Sequence, residues 1–363
     1  MQILRRTLSL LVICSSLCSC GLGAGKGLDP PQEQKPPGQA GGKKVDEKKP
    51  RAPVDPNKFA VVIAGAGGEE AYTKQFSLQA NQLHDALVNR LGFDEKRVFL
   101  LTEKGAGGPE NGAAEYVARS TAQEARKAFE TIKAAANPES LVFVILMGHG
   151  SFDGQQAKFN LVGPDLSAKE FLSLVSPIPA RRVIFVNCAS ASGEFVKPLS
   201  GANRVVITAT RSGSEQNATV FAEHFINGLT EPSADADKNN RISVLEAFNF
   251  ATKTTADWYK MNERLASEHA LLDDNGDGVG HEEAKEGDGA VAKTTYLDSN
   301  AVAVAGTDAD LARLLSEKQK AEEAIEKLKV RKGEMKPEEY ERELERLLVD
   351  LATITQSIKA KQK

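Results

Sequence analysis

Two stretches decide the fold: Leu141-Val-Phe-Val-Ile-Leu-Met-Gly-His149-Gly-Ser151 and Arg182-Val-Ile-Phe-Val-Asn-Cys188-Ala-Ser190. Each is an unbroken apolar run of the kind that fills a strand buried on both faces of a parallel sheet. One closes on an imidazole and the other on a thiol. Open α/β sheets carry their chemistry beyond the carboxyl ends of the strands. A base and a thiol delivered there by two strands form the layout of a cysteine nucleophile with a histidine base.

Outward from these runs, strands and helices alternate. A strand over 59–64 ends in Gly65-Ala66-Gly67-Gly68, and a helix over 76–91 carries Leu83, Leu87 and Leu91 at helical spacing. Further strands are predicted over 98–101 and 205–210, and further helices over 121–136, 167–175 and 219–229. Such a βαβ series implies a three-layer α/β domain, a mostly parallel sheet with helices on both faces. Gly65-Ala66-Gly67 lacks both the GxGxxG spacing and the Lys-Ser/Thr of a phosphate loop, so its glycines read as a bend.

The flanks differ from this body, which spans 58–305. Arg5 and Arg6, an apolar stretch over 8–13 and Leu17-Cys18-Ser19-Cys20-Gly21 read as a signal segment over 1–20, too short for a secure membrane span. Its end resembles a bacterial lipobox, with Cys20 as the lipid-bearing first residue of the mature chain. A plain secretory signal is the alternative. Residues 21–57 are rich in Pro, Gly, Gln and Lys and read as a disordered tether. The expected location is the bacterial cell envelope, in the periplasm or on the outer surface. Over 306–363, Leu311, Leu314, Leu315, Ile325 and Leu328 form one helical stripe, and Leu344, Leu347, Leu348, Leu351, Ile354 and Ile358 form another. Gly333 and Pro337 separate them, so an antiparallel helical hairpin is expected, packing on the domain or self-associating. A net charge of −4 over 363 residues offers nucleic acid no attraction.

Of the four cysteines, Cys14, Cys18 and Cys20 lie in the signal segment. Cys188 is then the only thiol of the folded body, and a free cysteine in an exported protein is a candidate reactive group. A buried structural cysteine is the alternative. The small residues Ala189 to Gly193 after it favour a reactive role. An imidazole beside a thiol takes its proton and returns it to a leaving amine. The acyl oxyanion needs fixed donors, for which the N–H groups of Gly150 and Cys188 are placed. Ser151 and Asp153 are candidates to shape this loop or orient His149. His84 and His224 fall in helix patterns, and His269 and His281 in polar segments. These four read as surface or core histidines.

An apolar block followed by His-Gly-Ser, and a second block ending in x-Cys, resembles the legumain and caspase-like cysteine peptidases of clan CD. The similarity runs from about 60 to 229 and lies nearest the legumain-type branch in its bacterial lipoprotein form. It implies a caspase-haemoglobinase fold and peptide-bond hydrolysis through an acyl-enzyme, with His149 as base, Cys188 as nucleophile and Gly150 as oxyanion donor. Legumain has Glu-Ala-Cys where this chain has Val186-Asn187-Cys188, and Asn-Tyr-Arg-His where it has Ala71-Tyr72-Thr73-Lys74. Those positions read asparagine in the family, so an asparagine preference is not carried over. The stretch from Thr208 to Glu215 matches the pocket-forming loop, making Thr210, Ser212 and Glu215 candidate substrate-binding residues. A free carboxylate at Glu215 would favour a basic side chain.

Asp235-Ala-Asp237-Lys-Asn239-Asn240-Arg241-Ile242-Ser243-Val-Leu-Glu246 fits an EF-hand loop. Oxygen ligands fall at positions 1, 3, 5, 9 and 12, and the Arg241 carbonyl at position 7. Asn240 replaces the usual Gly and tolerates the left-handed backbone. The reading is a structural calcium ion, with an acidic surface turn as the alternative. Asp273-Asp274-Asn275-Gly276-Asp277-Gly278 starts a second such loop. Its twelfth position is Ala284, with Glu282 and Glu283 just before it, so a plain turn is favoured there. No cofactor is expected for catalysis. The sequence therefore points to an exported, lipid-anchored cysteine endopeptidase acting on polypeptides. A catalytically silent calcium-binding scaffold for protein partners is the rival, and peptide ligation through the same acyl-enzyme remains open.

Overall fold

The structure, a computed structural model, describes residues 51–107, 116–284, 287–299 and 308–361. Cys20, the signal segment and most of the tether lie outside them. The chain runs β1 (Lys58–Ala64), α1 (Glu70–Asn89), β2 (Val98–Thr102), β3 (Val117–Arg119), α2 (Ala122–Ala135) and β4 (Ser140–Met147). Three short strands follow, β5 (Gly150–Phe152), β6 (Ala157–Phe159) and β7 (Leu166–Ser167), then α3 (Ala168–Val175) and β8 (Ala180–Asn187). After α4 (Val196–Leu199) and β9 (Arg204–Thr208) come α5 (Phe221–Gly228), α6 (Val244–Met261), β10 (Leu271–Asp273) and α7 (Ala290–Lys293). Two long helices, Ala309–Val330 and Pro337–Lys361, close the chain.

The main sheet has the order β10-β9-β8-β4-β1-β2-β3. Every pairing is parallel except that of β10 with β9. Strand alternation sorts the core into two layers: Ala60, Val62 and Ala64 face one cluster, Val61 and Ile63 the other. The first cluster takes in Leu83 of α1, Phe225 of α5 and Phe248 of α6, and the second Phe129 of α2 and Phe171 of α3. A mostly parallel sheet between two helical layers is the expected three-layer α/β arrangement. Edge strand β10 was not predicted, because its three residues lead straight into the acidic loop and show no pattern of their own.

Chain order reverses between β1 and β4. From β1 the chain builds outward to β2 and β3, and from β4 it builds the other way to β8 and β9. A crevice therefore opens beyond the carboxyl ends of β1 and β4. At the opposite end of the sheet lies the helical hairpin. Leu311 packs with Ile358, and Ile325 and Leu328 with Tyr340 and Leu347, so the two helices are antiparallel. Glu323 of the first helix bonds Arg181 at 2.5 Å and the buried Arg182 at 3.4 Å, both at the start of β8. The hairpin thus packs on the domain. No helix among the described residues is long and apolar enough to cross a membrane.

Candidate active site

His149 follows β4 and stands at the crevice. Register pairs Ile63 of β1 with Leu146, and Leu146 with Asn187 of β8, so Cys188 leaves the sheet on the strand next to that of His149. The imidazole is partly buried and sits edge-on to two rings of α1, Tyr72 at 4.8 Å and Phe76 at 5.2 Å between centroids. Burial lowers its pKa, while a hydrogen bond to the Gly67 backbone and the charge of Glu69 act in the opposite direction. A neutral imidazole is the form that accepts a proton.

The loop after β1 supplies this wall. Gly65 N–H donates to Met147 O at 2.9 Å, Ala66 N–H to Asn160 O at 3.1 Å and Gly67 N–H to Glu103 Oε2 at 3.0 Å. These donors are taken by the protein itself, so the loop is a bend. A Cβ on Gly65 would lie 2.4 Å from Asn160 O, which excludes any side chain there. Asp153 does not orient His149: its carboxylate accepts from the Gln155 and Gln156 N–H groups at 2.9 and 2.8 Å and shapes the β5–β6 turn. The aromatic rings of α1 set the imidazole instead.

Cys188 differs sharply. It is 1% exposed and belongs to the apolar cluster shared by α1, α5 and α6. Desolvation drives its thiol pKa well above the ordinary value, and the nearby charge of Glu268 adds to this. The thiol is covered, and its burial favours the protonated form. The two expected oxyanion donors are also engaged. Cys188 N–H donates to Leu146 O at 2.8 Å, extending the sheet ladder. Gly150 N–H donates to the Ser190 hydroxyl at 3.1 Å, which in turn donates to Gly150 O at 3.1 Å. Gly150 is a glycine because the chain passes close by, with Ser190 O 2.4 Å from any Cβ there.

The loop after β9 corrects the pocket assignment. Thr210 is fully buried, accepting Gly193 N–H at 3.0 Å and lying 3.2 Å from the Ser192 hydroxyl, so it braces the turn after Cys188 and faces no pocket. Ser212 is partly exposed and pairs with Ser214 at 2.7 Å. Glu215 is not a free carboxylate. One oxygen meets His269 Nδ1 at 2.6 Å and the Arg211 guanidinium at 3.3 Å, and the other accepts Arg211 N–H at 3.0 Å. With its charge matched, Glu215 gives no ground for a basic preference. His269, predicted to be a bland polar-segment residue, is thus part of this wall. Glu268 beside it is 4% exposed, and burial pushes its pKa up to about 7. Nothing local in the sequence marks Glu268, because its role depends on α5 and α6 closing over it.

The two acidic loops share one hydrogen-bond pattern. In the first, Asn239 N–H meets Asp237 Oδ1 at 3.1 Å, Arg241 N–H meets Asn239 Oδ1 at 2.8 Å, and Asn240 N–H meets Asp235 Oδ2 at 2.8 Å. In the second, Asp277 N–H meets Asn275 Oδ1 at 2.8 Å, Val279 N–H meets Asp277 Oδ1 at 2.8 Å, and Gly278 N–H meets Asp273 Oδ2 at 3.0 Å. Positions 4 and 6 are left-handed in both, Lys238 and Asn240 in one and Gly276 and Gly278 in the other. The closing carboxylate differs. Glu246 Oε1 accepts Ala236 and Asp237 N–H in the first loop, while Asp288 Oδ1 accepts Asp274 and Asn275 N–H in the second. Asp288 is buried and held by His281 Nδ1 at 2.6 Å. Asp235, Asp237 and Glu246 are more open and bring ligand oxygens within 4.8 Å of one another. Ser243 is the N-cap of α6 and bonds Glu246 in a capping box, so here it orients the closing carboxylate. The Arg241 side chain turns away to Asp298 at 2.9 Å.

No family model and no curated protein matches this sequence. Among solved structures, protein GSU0716 from Geobacter sulfurreducens is similar in part. It shares 11% identity with a TM-score of 0.41, over 60% of this chain and 93% of its own.

Proposed function

We propose that this protein is a cysteine endopeptidase of the legumain and caspase-like type, anchored in the bacterial envelope through Cys20. The observation that carries the reading is the parallel pairing of β4 with β8, which sends His149 and Cys188 off the carboxyl ends of neighbouring strands. His149 takes the Cys188 proton, and the sulfur attacks a peptide carbonyl. The imidazolium then protonates the departing amine, leaving a thioester acyl-enzyme. Water attacks the thioester, giving a proton to His149, and the thiol is re-formed. Turnover requires uncovering of Cys188 and release of the Gly150 N–H from Ser190. The test is a peptide library treated with the full chain and with Cys188→Ala. Cleavage that vanishes in the variant supports the mechanism; cleavage at the parent rate overturns it.

The loop over 235–246 favours a second reading alongside the first, a structural calcium ion held by Asp235, Asp237, Asn239 and Glu246. A hard cation would satisfy carboxylates that the chain leaves without a cationic partner inside the loop. Calorimetric titration with calcium checks it. Binding should weaken at least tenfold in Glu246→Gln, and an unchanged titration removes the ion from the account.

A further inference from the structure

The cover over Cys188 has a hold of its own. Glu268 lies in the stretch before β10 and accepts three hydrogen bonds: from Val220 N–H at 2.8 Å, Phe221 N–H at 3.2 Å and the Tyr259 hydroxyl at 3.0 Å. Val220 and Phe221 open α5. Thr219, just before them, donates its hydroxyl to the carbonyl oxygen of Cys188. Phe221 is fully buried in the same cluster as Cys188. Three consecutive residues are therefore tied down beside the thiol, one to Cys188 itself and two to a single carboxylate. The chain leading into them is open: Ser214, Gln216 and Asn217 are exposed. An exposed loop ending in a strap held by the side chains of Glu268 and Thr219 can swing when those ties let go.

We infer that Glu268 is a positioning residue that holds the strap 219–221 across Cys188 and thereby governs access to the thiol. Its meaning for catalysis rests on the proposed role of Cys188, but the strap itself does not. Removing the carboxylate leaves two backbone N–H groups without their acceptor, and water becomes the better partner. The titratable groups acting on Glu268 are the Tyr259 hydroxyl, the Glu215 carboxylate, which His269 and Arg211 already hold, and the Cys188 thiol. None is a cation that would neutralise it.

The experiment is alkylation of the folded full chain by iodoacetamide at pH 7, read by mass spectrometry on the tryptic peptide 183–204, whose one cysteine is Cys188. Glu268→Ala should modify this peptide roughly tenfold faster, the factor matching about 1.4 kcal/mol. Glu268→Gln keeps the shape and one acceptor oxygen without the charge, so it should label no faster than wild type. Thr219→Val removes the other tie and leaves Glu268 in place, so it should also accelerate labelling. Thermal unfolding identifies the variants that remain folded. Wild-type labelling rates in both Glu268→Ala and Thr219→Val overturn the strap. Faster labelling with no peptide cleavage by any form keeps the strap and removes the peptidase reading. Cleavage that depends on Cys188, with labelling rates unchanged, removes the strap alone.

Discussion

His149 and Cys188 leave adjacent strands at the same carboxyl end of one sheet, yet their surroundings are opposite. The imidazole stands at the crevice between β1 and β4, partly open, with the rings of Tyr72 and Phe76 edge-on to it. The thiol is sealed in the core, its backbone carbonyl tied to Thr219 and its neighbour Phe221 tied to Glu268. The difference teaches that topology places the two groups at one end of the sheet, but helices decide which is available. Helix α1 leaves the imidazole reachable, while α5 and its leading strap close over the thiol.

The largest expected effect separates the two groups by activity and stability together. His149→Ala should lower kcat/KM by about 10² to 10⁴ with little change in thermal unfolding, since the ring is only partly buried. If His149→Ala cleaves peptides normally, the open side of the site has no chemical part. The next effect is on the closed side and depends on pH. Glu268 has a pKa of about 7 when the strap is shut, against an ordinary 4.5 when solvated. The closed form therefore binds the proton more tightly, so acid favours closure and rising pH favours opening. Between pH 4.5 and 7, amide protection of Val220 and Phe221, normalised to intrinsic exchange, should fall by up to about two orders of magnitude. Above pH 7 it should level off. Protection that is flat or rises across this window breaks the comparison.

Smaller effects sharpen it. Tyr72→Ala lets water reach the imidazole, so the depressed pKa of His149 should move upward by a few tenths to about one unit in an NMR titration. A downward move would mean that burial is not what lowers it. Ser190→Ala removes the hydroxyl that joins Cys188's loop to Gly150, and should cost about 1 kcal/mol in denaturant unfolding. No cost would show that this link between the two sides carries nothing.

Much of this was legible in the residues. The apolar runs of β4 and β8 and the His and Cys at their ends can be read directly, because strands buried on both faces have an unmistakable composition. The helix starts at Thr121 and Ser167 are also visible, since both side chains cap the turns they precede. What the residues hide is closure. Cys188 reads as reactive because it is alone, and only α5 and Glu268, distant in sequence, show that it is covered. Thr210 and Glu215 read as pocket residues until Gly193, Arg211 and His269 are seen to occupy them. The second acidic loop fails the twelve-residue spacing because its closing carboxylate, Asp288, lies four residues beyond the expected position.

The contact between Glu323 and Arg182 reaches beyond the packing of two helices. Arg182 is 1% exposed at the first turn of the central strand that leads to Cys188, and Glu323 is the carboxylate it touches. Cutting the chain ahead of residue 309 takes the Glu323 carboxylate away from both arginines at the start of β8 and should lower the unfolding temperature. The final two helices therefore brace the strand that leads to Cys188 from its far end, and the described parts of the domain and hairpin should melt together.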